Sequence, residues 1–286
     1  MWNKDTHVHI VGLGLMGGSI AQGLKKHGIK VTAMDINQDS IEYALQEGLI
    51  DEGSTDDSAF LNEADLIVSG LYPNALLKWM SQHQHDFKAG ALITDVTGVK
   101  SNIIEPIQDM LPESVEFVGS HPMAGRETSG VRSCNCDMFK PANYIIVPTD
   151  KNTQEGIQKV REFAELLNFN HIAVLSVEEH DKMIGFLSQL THVIAVTLMN
   201  THDNSHLVEY TGDSFRDLTR IAKINEHLWT ELFLLNKDNL LKEITAFQTE
   251  LEHFRHVLKS EDTDEMKRLF VQSTQRRKQF DRKESQ

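Results

Sequence analysis

The sequence predicts an α/β, doubly wound sheet followed by an all-α C-terminal domain. Three observations carry this expectation. Up to about residue 175, short β-type runs alternate with helical patterns, the order of a parallel sheet joined by crossover helices. The first run opens directly onto Gly12-Leu13-Gly14-Leu15-Met16-Gly17 and then onto a helical pattern, the setting in which G-x-G-x-x-G has meaning. Beyond residue 176 the strand runs stop, and apolar residues recur at spacings of three and four, as on amphipathic helices.

The strand runs are HVHIVGLG (7–14), KVTAMD (30–35), DLIVSG (65–70), ALITDV (91–96), VEFVGSH (115–121), NYIIVP (143–148) and HIAVL (171–175). Several are almost wholly apolar, as strands covered on both faces must be. Helical patterns fill 17–27, 39–47, 101–110 and 153–167, and further helices are expected at 177–203, 213–223 and 225–259. The last carries Leu240, Ile244, Phe247, Leu251, Phe254 and Leu258 in one stripe. Such a stripe is either an intrachain core face or a subunit interface. A long helix in a small helical domain often finds its partner on another chain, so a homodimer through the C-terminal helices is expected.

The 286 residues are 40% hydrophobic and 24% charged, the balance of an ordinary globular protein. No uninterrupted apolar run reaches membrane-spanning length, and MWNKDTHVHI lacks the basic start, apolar stretch and cleavage site of a signal peptide. A cytoplasmic protein without a membrane partner is expected. A formal net charge of −14 repels phosphate backbones, so no nucleic-acid partner is expected. The basic cluster Arg276, Arg277, Lys278, Arg282 and Lys283 reads as a solvated helix end. Cys134 and Cys136 allow no disulfide framework and offer too few ligands for structural zinc. THDNSH (201–206), with His202 and His206, reads as a polar loop, and no metal is expected.

In the glycine loop, Gly12 permits a tight turn, Gly14 lets the backbone approach a pyrophosphate, and Gly17 lets helix and strand pack closely. The helix start at Leu15 and Met16 offers free N–H groups and a positive dipole end to phosphates. Gly12, Gly14, Leu15, Met16 and Gly17 are thus the candidate cofactor-binding residues of a Rossmann-type fold. Asp35 ends the second strand, 23 residues after Gly12. A carboxylate there accepts hydrogen bonds from ribose hydroxyls and repels a 2′-phosphate, and DINQDS supplies no arginine to receive one. NAD is therefore expected over NADP. The expected division is 1–176 for an NAD-binding domain and 177–286 for a helical domain serving substrate and dimerisation.

A second group of residues provides a substrate side. Ser120-His121-Pro122-Met123-Ala124-Gly125 follows a strand at the carboxyl edge of the sheet, where open α/β sheets bind ligands. An isolated loop histidine is more often structural. Beside a nicotinamide site the balance reverses, because alcohol oxidation needs a group to take the hydroxyl proton, and a pKa near 6.5 suits that work. In FRDLTRIAK (215–223), Arg216, Arg220 and Lys223 would share one helical face. They either clamp an anionic ligand, with Arg220 gripping a carboxylate in two-point fashion, or pair with Asp213 and Asp217.

With these residues in view, the sequence resembles the prephenate dehydrogenase family over roughly residues 5 to 260. The resemblance is carried by VGLGLMGGS (11–19), TDVTGVKS with GSHPMAG (94–101 and 119–125), and FRDLTRIAK followed by Trp229. It implies NAD-dependent oxidative decarboxylation of prephenate to 4-hydroxyphenylpyruvate in tyrosine biosynthesis. It implies that His121 takes the substrate hydroxyl proton and that Arg220 holds a carboxylate. His192 would lie near the substrate, Trp229 would line the pocket, and Glu127 would sit near its mouth.

Three positions depart from the family pattern. Gly98 stands where a serine often bonds the catalytic histidine and substrate, and Thr97, one residue earlier, is the candidate to supply that hydroxyl. Arg126 stands where a small polar residue is common and would add positive charge for a dianionic substrate. Gln189 replaces a histidine found in some members. The family's additional regulatory modules are not expected here, so any feedback by tyrosine would act at the active site. Arogenate, with an amino group in place of the keto oxygen, is the rival substrate. A 3-hydroxyacid dehydrogenase, opposed by the loop His121-Pro122-Met123-Ala124-Gly125, and a non-catalytic NAD-binding sensor, opposed by His121 and Arg220, are more distant rivals.

Overall fold

The computed structural model describes residues 2–125, 128–203 and 205–281. Its centre is an eight-stranded sheet in the order β3-β2-β1-β4-β5-β6-β7-β8. The strands are β1 (His7–Val11), β2 (Lys30–Met34), β3 (Glu52–Ser54), β4 (Leu66–Ser69), β5 (Leu92–Asp95), β6 (Glu116–Pro122), β7 (Asn143–Val147) and β8 (His171–Val174). The seven expected runs all became strands, and β3 is an addition on the edge beyond β2. The sheet is parallel except where β7 runs against β6, pairing His121 with Ile145.

The strands read as apolar because both faces are covered. In β1, Val8 and Ile10 join one buried cluster and Val11 the other. In β4, Leu66 and Val68 face one way and Ile67 the other. Each such fully buried side chain contributes roughly 1.5–3 kcal/mol. The covering helices are α1 (Leu15–Lys26), α2 (Gln38–Gln46), α3 (Pro73–His83), α4 (Ile104–Met110) and α5 (Gln154–Leu166). The expectation at residues 101–110 is corrected to α4, because 101–103 form turns before it. No expectation covered α3. It starts on Pro73, whose fixed φ suits a first helical position, and buries Leu76, Trp79, Met80 and His83 at helical spacing.

After the sheet comes a rod of α6 (Val177–Ile184), a π-helical segment (Gly185–Leu190) and α7 (Thr191–Thr201). It opens on a capping box in which Ser176 and Glu179 satisfy each other's backbone N–H groups. By length and composition alone this rod could cross a membrane, although Ser188, Gln189, Thr191 and His192 interrupt its apolar sequence.

Two helical expectations are corrected. The segment 213–223 is not one helix. α8 (Asp213–Thr219) gives way to a 3-10 turn at Arg220–Ala222, and Lys223 is extended. Arg216, Arg220 and Lys223 therefore do not share one regular helical face. The segment 225–259 is two helices, α9 (Glu226–Leu235) and α10 (Lys237–Lys259). Asn236 separates them because its buried amide donates to the Asp181 carbonyl (2.8 Å) and to Gln189 Oε1 (2.8 Å). A last helix, α11 (Thr263–Lys278), is capped by Asp262.

The chain divides into two compact units, one ending at Lys237 and one starting at Asp238. In the second unit, Phe254 on α10 meets Phe270 on α11. Phe247, Leu251 and Leu258 of the apolar stripe stay exposed.

Candidate active site

The glycine loop lies where β1 and β4, adjacent in the sheet, send their connections to opposite sides. Such a switch point opens a crevice at the carboxyl ends of the strands. Gly12 has φ +94°, which only glycine adopts without strain. A Cβ on Gly17 would lie 2.0 Å from the Gly12 carbonyl oxygen. At Gly14, by contrast, an added Cβ would meet nothing within 4 Å among the described residues. Gly14 is also the N-cap of α1 and brings no side chain to the first N–H groups at Leu15 and Met16. Asp35 accepts from Leu13 N (2.7 Å) through one carboxylate oxygen and from Asn37 N (2.8 Å) through the other. Each oxygen has a second lone pair to offer a ribose. The loop, the open helix end and Asp35 thus fit a dinucleotide.

His121 stands near the end of β6, partly buried. Its Nδ1 lies 2.9 Å from His180 Nε2. His180 Nδ1 lies 2.7 Å from Asp181 Oδ1. Asp181 also accepts from Lys100 N (2.9 Å), Ser101 N (2.8 Å) and Ser101 Oγ (2.5 Å). Burial pushes the Asp181 carboxyl up, but the bonds from His180 and Ser101 outweigh it and hold the group below the usual carboxylate range. Burial pulls His180 below the ordinary histidine value, against the bond to Asp181. Burial also pulls His121 well below that value, and His180 and Lys100 add to the effect. Both rings are therefore neutral near pH 7.

Under His121 lies a second buried polar group. Lys100 Nζ donates to Asp95 Oδ2 (2.6 Å), Thr97 Oγ1 (3.1 Å) and the Ser120 carbonyl (2.6 Å). Both members of the Lys100–Asp95 pair are fully buried. Asp95 Oδ1 accepts from Ser120 N (3.0 Å), and Ser120 Oγ meets Tyr144 Oη at 2.6 Å. The carboxyl ends of β5 and β6 are thereby tied together beneath the histidine.

The other expected residues fall as follows. The single proton of the Thr97 hydroxyl has Asp95 Oδ2 and the Val99 carbonyl within reach, and its oxygen accepts from Lys100. It serves the buried pair, and the structure does not bring it into a described bond with His121. A Cβ at Gly98 would lie 3.8 Å from His121 Nε2 and 3.3 Å from Leu232 Cδ2. Gly98 therefore leaves room beside that nitrogen, with Leu232 of α9 as its cover. His192 Nδ1 donates to the Ser188 carbonyl (2.8 Å), and its ring stacks on Trp229 with centroids 3.6 Å apart. Trp229 is one helical turn before Leu232 on α9, so the stack stands next to the residue that covers Gly98. Arg220 is exposed at the start of its 3-10 turn. Arg126 and Glu127 lie outside the described residues. Gln189 is buried, and its amide donates to the Leu232 carbonyl (2.9 Å).

Sequence reasoning missed Asp95, Lys100, His180 and Asp181. Asp95 and Lys100 carried a signal, since they are the only charges between Lys88 and Glu105. His180-Asp181 carried almost none, because it sits among Glu178, Glu179 and Lys182 at a helix start.

Two family models match the chain. The prephenate dehydrogenase nucleotide-binding domain covers residues 20–173, and the prephenate dehydrogenase dimerization domain covers 176–272. A prephenate dehydrogenase of Bacillus subtilis is 30% identical over 93% of this chain and 74% of its own length. A crystal structure of prephenate dehydrogenase from A. aeolicus, in complex with hydroxyphenyl propionate and NAD+, superposes with TM-score 0.88 and 30% identity. That match covers 96% of this chain and 98% of the other. An arogenate dehydrogenase from Synechocystis superposes with TM-score 0.82 and 25% identity, over 96% and 100% of the two chains.

Proposed function

The chain belongs to the prephenate dehydrogenase family of oxidoreductases, and from that premise we propose that it oxidises and decarboxylates prephenate with NAD+ for tyrosine biosynthesis. The observation that carries the proposal is His121 Nε2, which faces the space left by Gly98 at the same sheet edge as the glycine loop. Gly12, Gly14, Leu15, Met16, Gly17 and Asp35 would hold the dinucleotide, and the bound cofactor would supply the hydride acceptor.

His121 Nε2 accepts the proton of the ring hydroxyl as the C–H bond at the same carbon breaks. Ketone character develops at that carbon, and the ring carboxylate leaves as CO2 with aromatisation. His121 is suited to this because burial keeps it neutral and its neighbours hold it in place. Arg220 would grip a substrate carboxylate, and Trp229 and His192 would form the wall beside it. Thr97 contributes through the Lys100–Asp95 pair rather than at the reacting atoms. The division of labour would follow 1–176 for NAD and 177–286 for substrate and self-association. The exposed stripe on α10 supports a homodimer over an intrachain core.

Arogenate is the second reading, and one observation favours it. Because His192 Nδ1 donates to a carbonyl, its Nε2 is left as an acceptor, which suits an ammonium group better than a keto oxygen.

The test follows NADH formation with prephenate and arogenate separately, for wild type and His121→Asn. Wild type is expected to turn over prephenate, and the variant to lose at least about a hundredfold. Turnover of neither substrate overturns the proposal. Turnover of arogenate alone overturns the substrate and keeps the chemistry.

A further inference from the structure

We propose that His180 and Asp181 are positioning residues for His121: they fix which of its nitrogens carries a proton and offset the charge it gains. The proposal rests on the reading of His121 as the base. The polarity of the chain is dictated from its far end. Asp181 receives Lys100 N–H, Ser101 N–H and Ser101 O–H. An ionised carboxylate is acceptor-only, so the fourth contact, at 2.7 Å, must be a proton on His180 Nδ1. Neutral His180 then has its lone pair on Nε2. That lone pair lies 2.9 Å from His121 Nδ1, so this nitrogen carries the hydrogen of His121. The lone pair of His121 therefore falls on Nε2, the atom facing Gly98.

During reaction the substrate O–H bond breaks, an Nε2–H bond forms and His121 becomes an imidazolium. No proton has to travel further. Three charged or titratable groups border the ring or act on it: His180 directly, Lys100 from below, and Asp181 through His180. Lys100 opposes the new charge, although Asp95 neutralises it at 2.6 Å. Asp181 is the anion that balances the imidazolium, two hydrogen bonds away. The same carboxylate ties α6 to the Lys100–Ser101 backbone, so the base keeps a fixed place relative to β5 and β6.

The test compares His180→Leu, His180→Gln and Asp181→Asn with wild type in the full-length protein. In His180→Leu and Asp181→Asn, kcat is expected to fall at least about tenfold, with KM changed less than about threefold. His180→Gln should recover most of the rate, because its amide oxygen can accept from His121 while its NH2 donates to Asp181. The acid limb of the kcat profile should move to lower pH in Asp181→Asn, since imidazolium at His121 loses its balancing anion. A purely structural role would leave that limb in place. Long-range 15N–1H spectra of histidine-labelled protein should show His121 as the Nδ1–H tautomer. An Nε2–H tautomer in wild type, or unchanged kcat in His180→Leu, overturns the proposal, as does an unmoved acid limb in Asp181→Asn. If Asp181→Asn fails to fold, the His180 pair and the spectra still decide. If wild type turns over neither substrate, the functional reading falls, and the spectra still test the tautomer.

Discussion

The two sides of the catalytic edge are built from different materials. The glycine loop is a backbone device. Its shape comes from a positive φ at Gly12, a forbidden Cβ at Gly17 and an open one at Gly14. The His121 side is a side-chain device, in which Asp95, Lys100, His180 and Asp181 come from strand ends and a helix and are satisfied by one another. A backbone device is written in consecutive residues and tolerates little variation. A side-chain device is assembled from residues far apart in sequence, and each piece depends on the others for its protonation state.

The largest way to break the contrast is at the buried pair. Lys100→Met leaves the Asp95 carboxylate buried beside an apolar chain and is expected to cost about 3–5 kcal/mol, measured as a lowered urea midpoint. Replacing both residues by well-packed apolar ones should cost far less, because no unpaired charge remains. A double variant as unstable as the single one would show that the pair does more than neutralise itself.

Next come the glycines. Gly17→Ala would put a Cβ 2.0 Å from the Gly12 carbonyl oxygen, which must then move, and is expected to cost about 1–3 kcal/mol or more in stability. Gly14→Ala meets open space. It should leave thermal stability unchanged while weakening NAD+ binding, as read by titration of protein fluorescence. Equal thermal effects of the two changes would remove the distinction between a glycine needed by the fold and one needed by the ligand.

A further effect is graded by pH and shows only below neutrality. Burial holds His9 at a pKa of about 3, and burial also lowers His7 and His180. The unfolded chain therefore binds these protons at higher pH than the folded one. Their stabilising effect is complete above the unfolded value near 6.5 and is lost as pH falls below it. For His9 that loss runs down to a pH of about 3, with a limiting slope of about 1.4 kcal/mol per pH unit. Urea unfolding at pH 7.5 and 5.0 measures it, and His9→Asn should flatten the dependence.

The same contrast explains what was legible beforehand. All seven expected strands formed, because a run covered on both faces must be apolar wherever it pairs. The glycine loop was legible for a similar reason. Antiparallel β7 was not, since its composition matches that of its parallel neighbours and only the connection from β6 sets its direction. The helical part was read too simply. Asn236 looked like one polar residue in a long periodic segment, yet its amide bonds to Asp181 and Gln189 end one helix and begin the next. His121 could be picked out because Pro122, Met123 and Gly125 gave it a recognisable setting. The His180–Asp181 pair could not, because its meaning depends on a ring 59 residues away in sequence.

The π-helical segment Gly185–Leu190 bears on how this rod tolerates changes in length. An α-helix turns about 100° per residue, so one inserted residue would swing everything beyond it to another face. Here both ends of the rod are anchored, by His180 and Asp181 at one end and by the His192–Trp229 stack at the other. The wider turn takes up a surplus residue between the anchors and leaves both registers intact. Removing Ser188 should therefore turn the wide segment into plain α-helix with both histidines still in register, whereas removing two residues from it should rotate one anchor against the other.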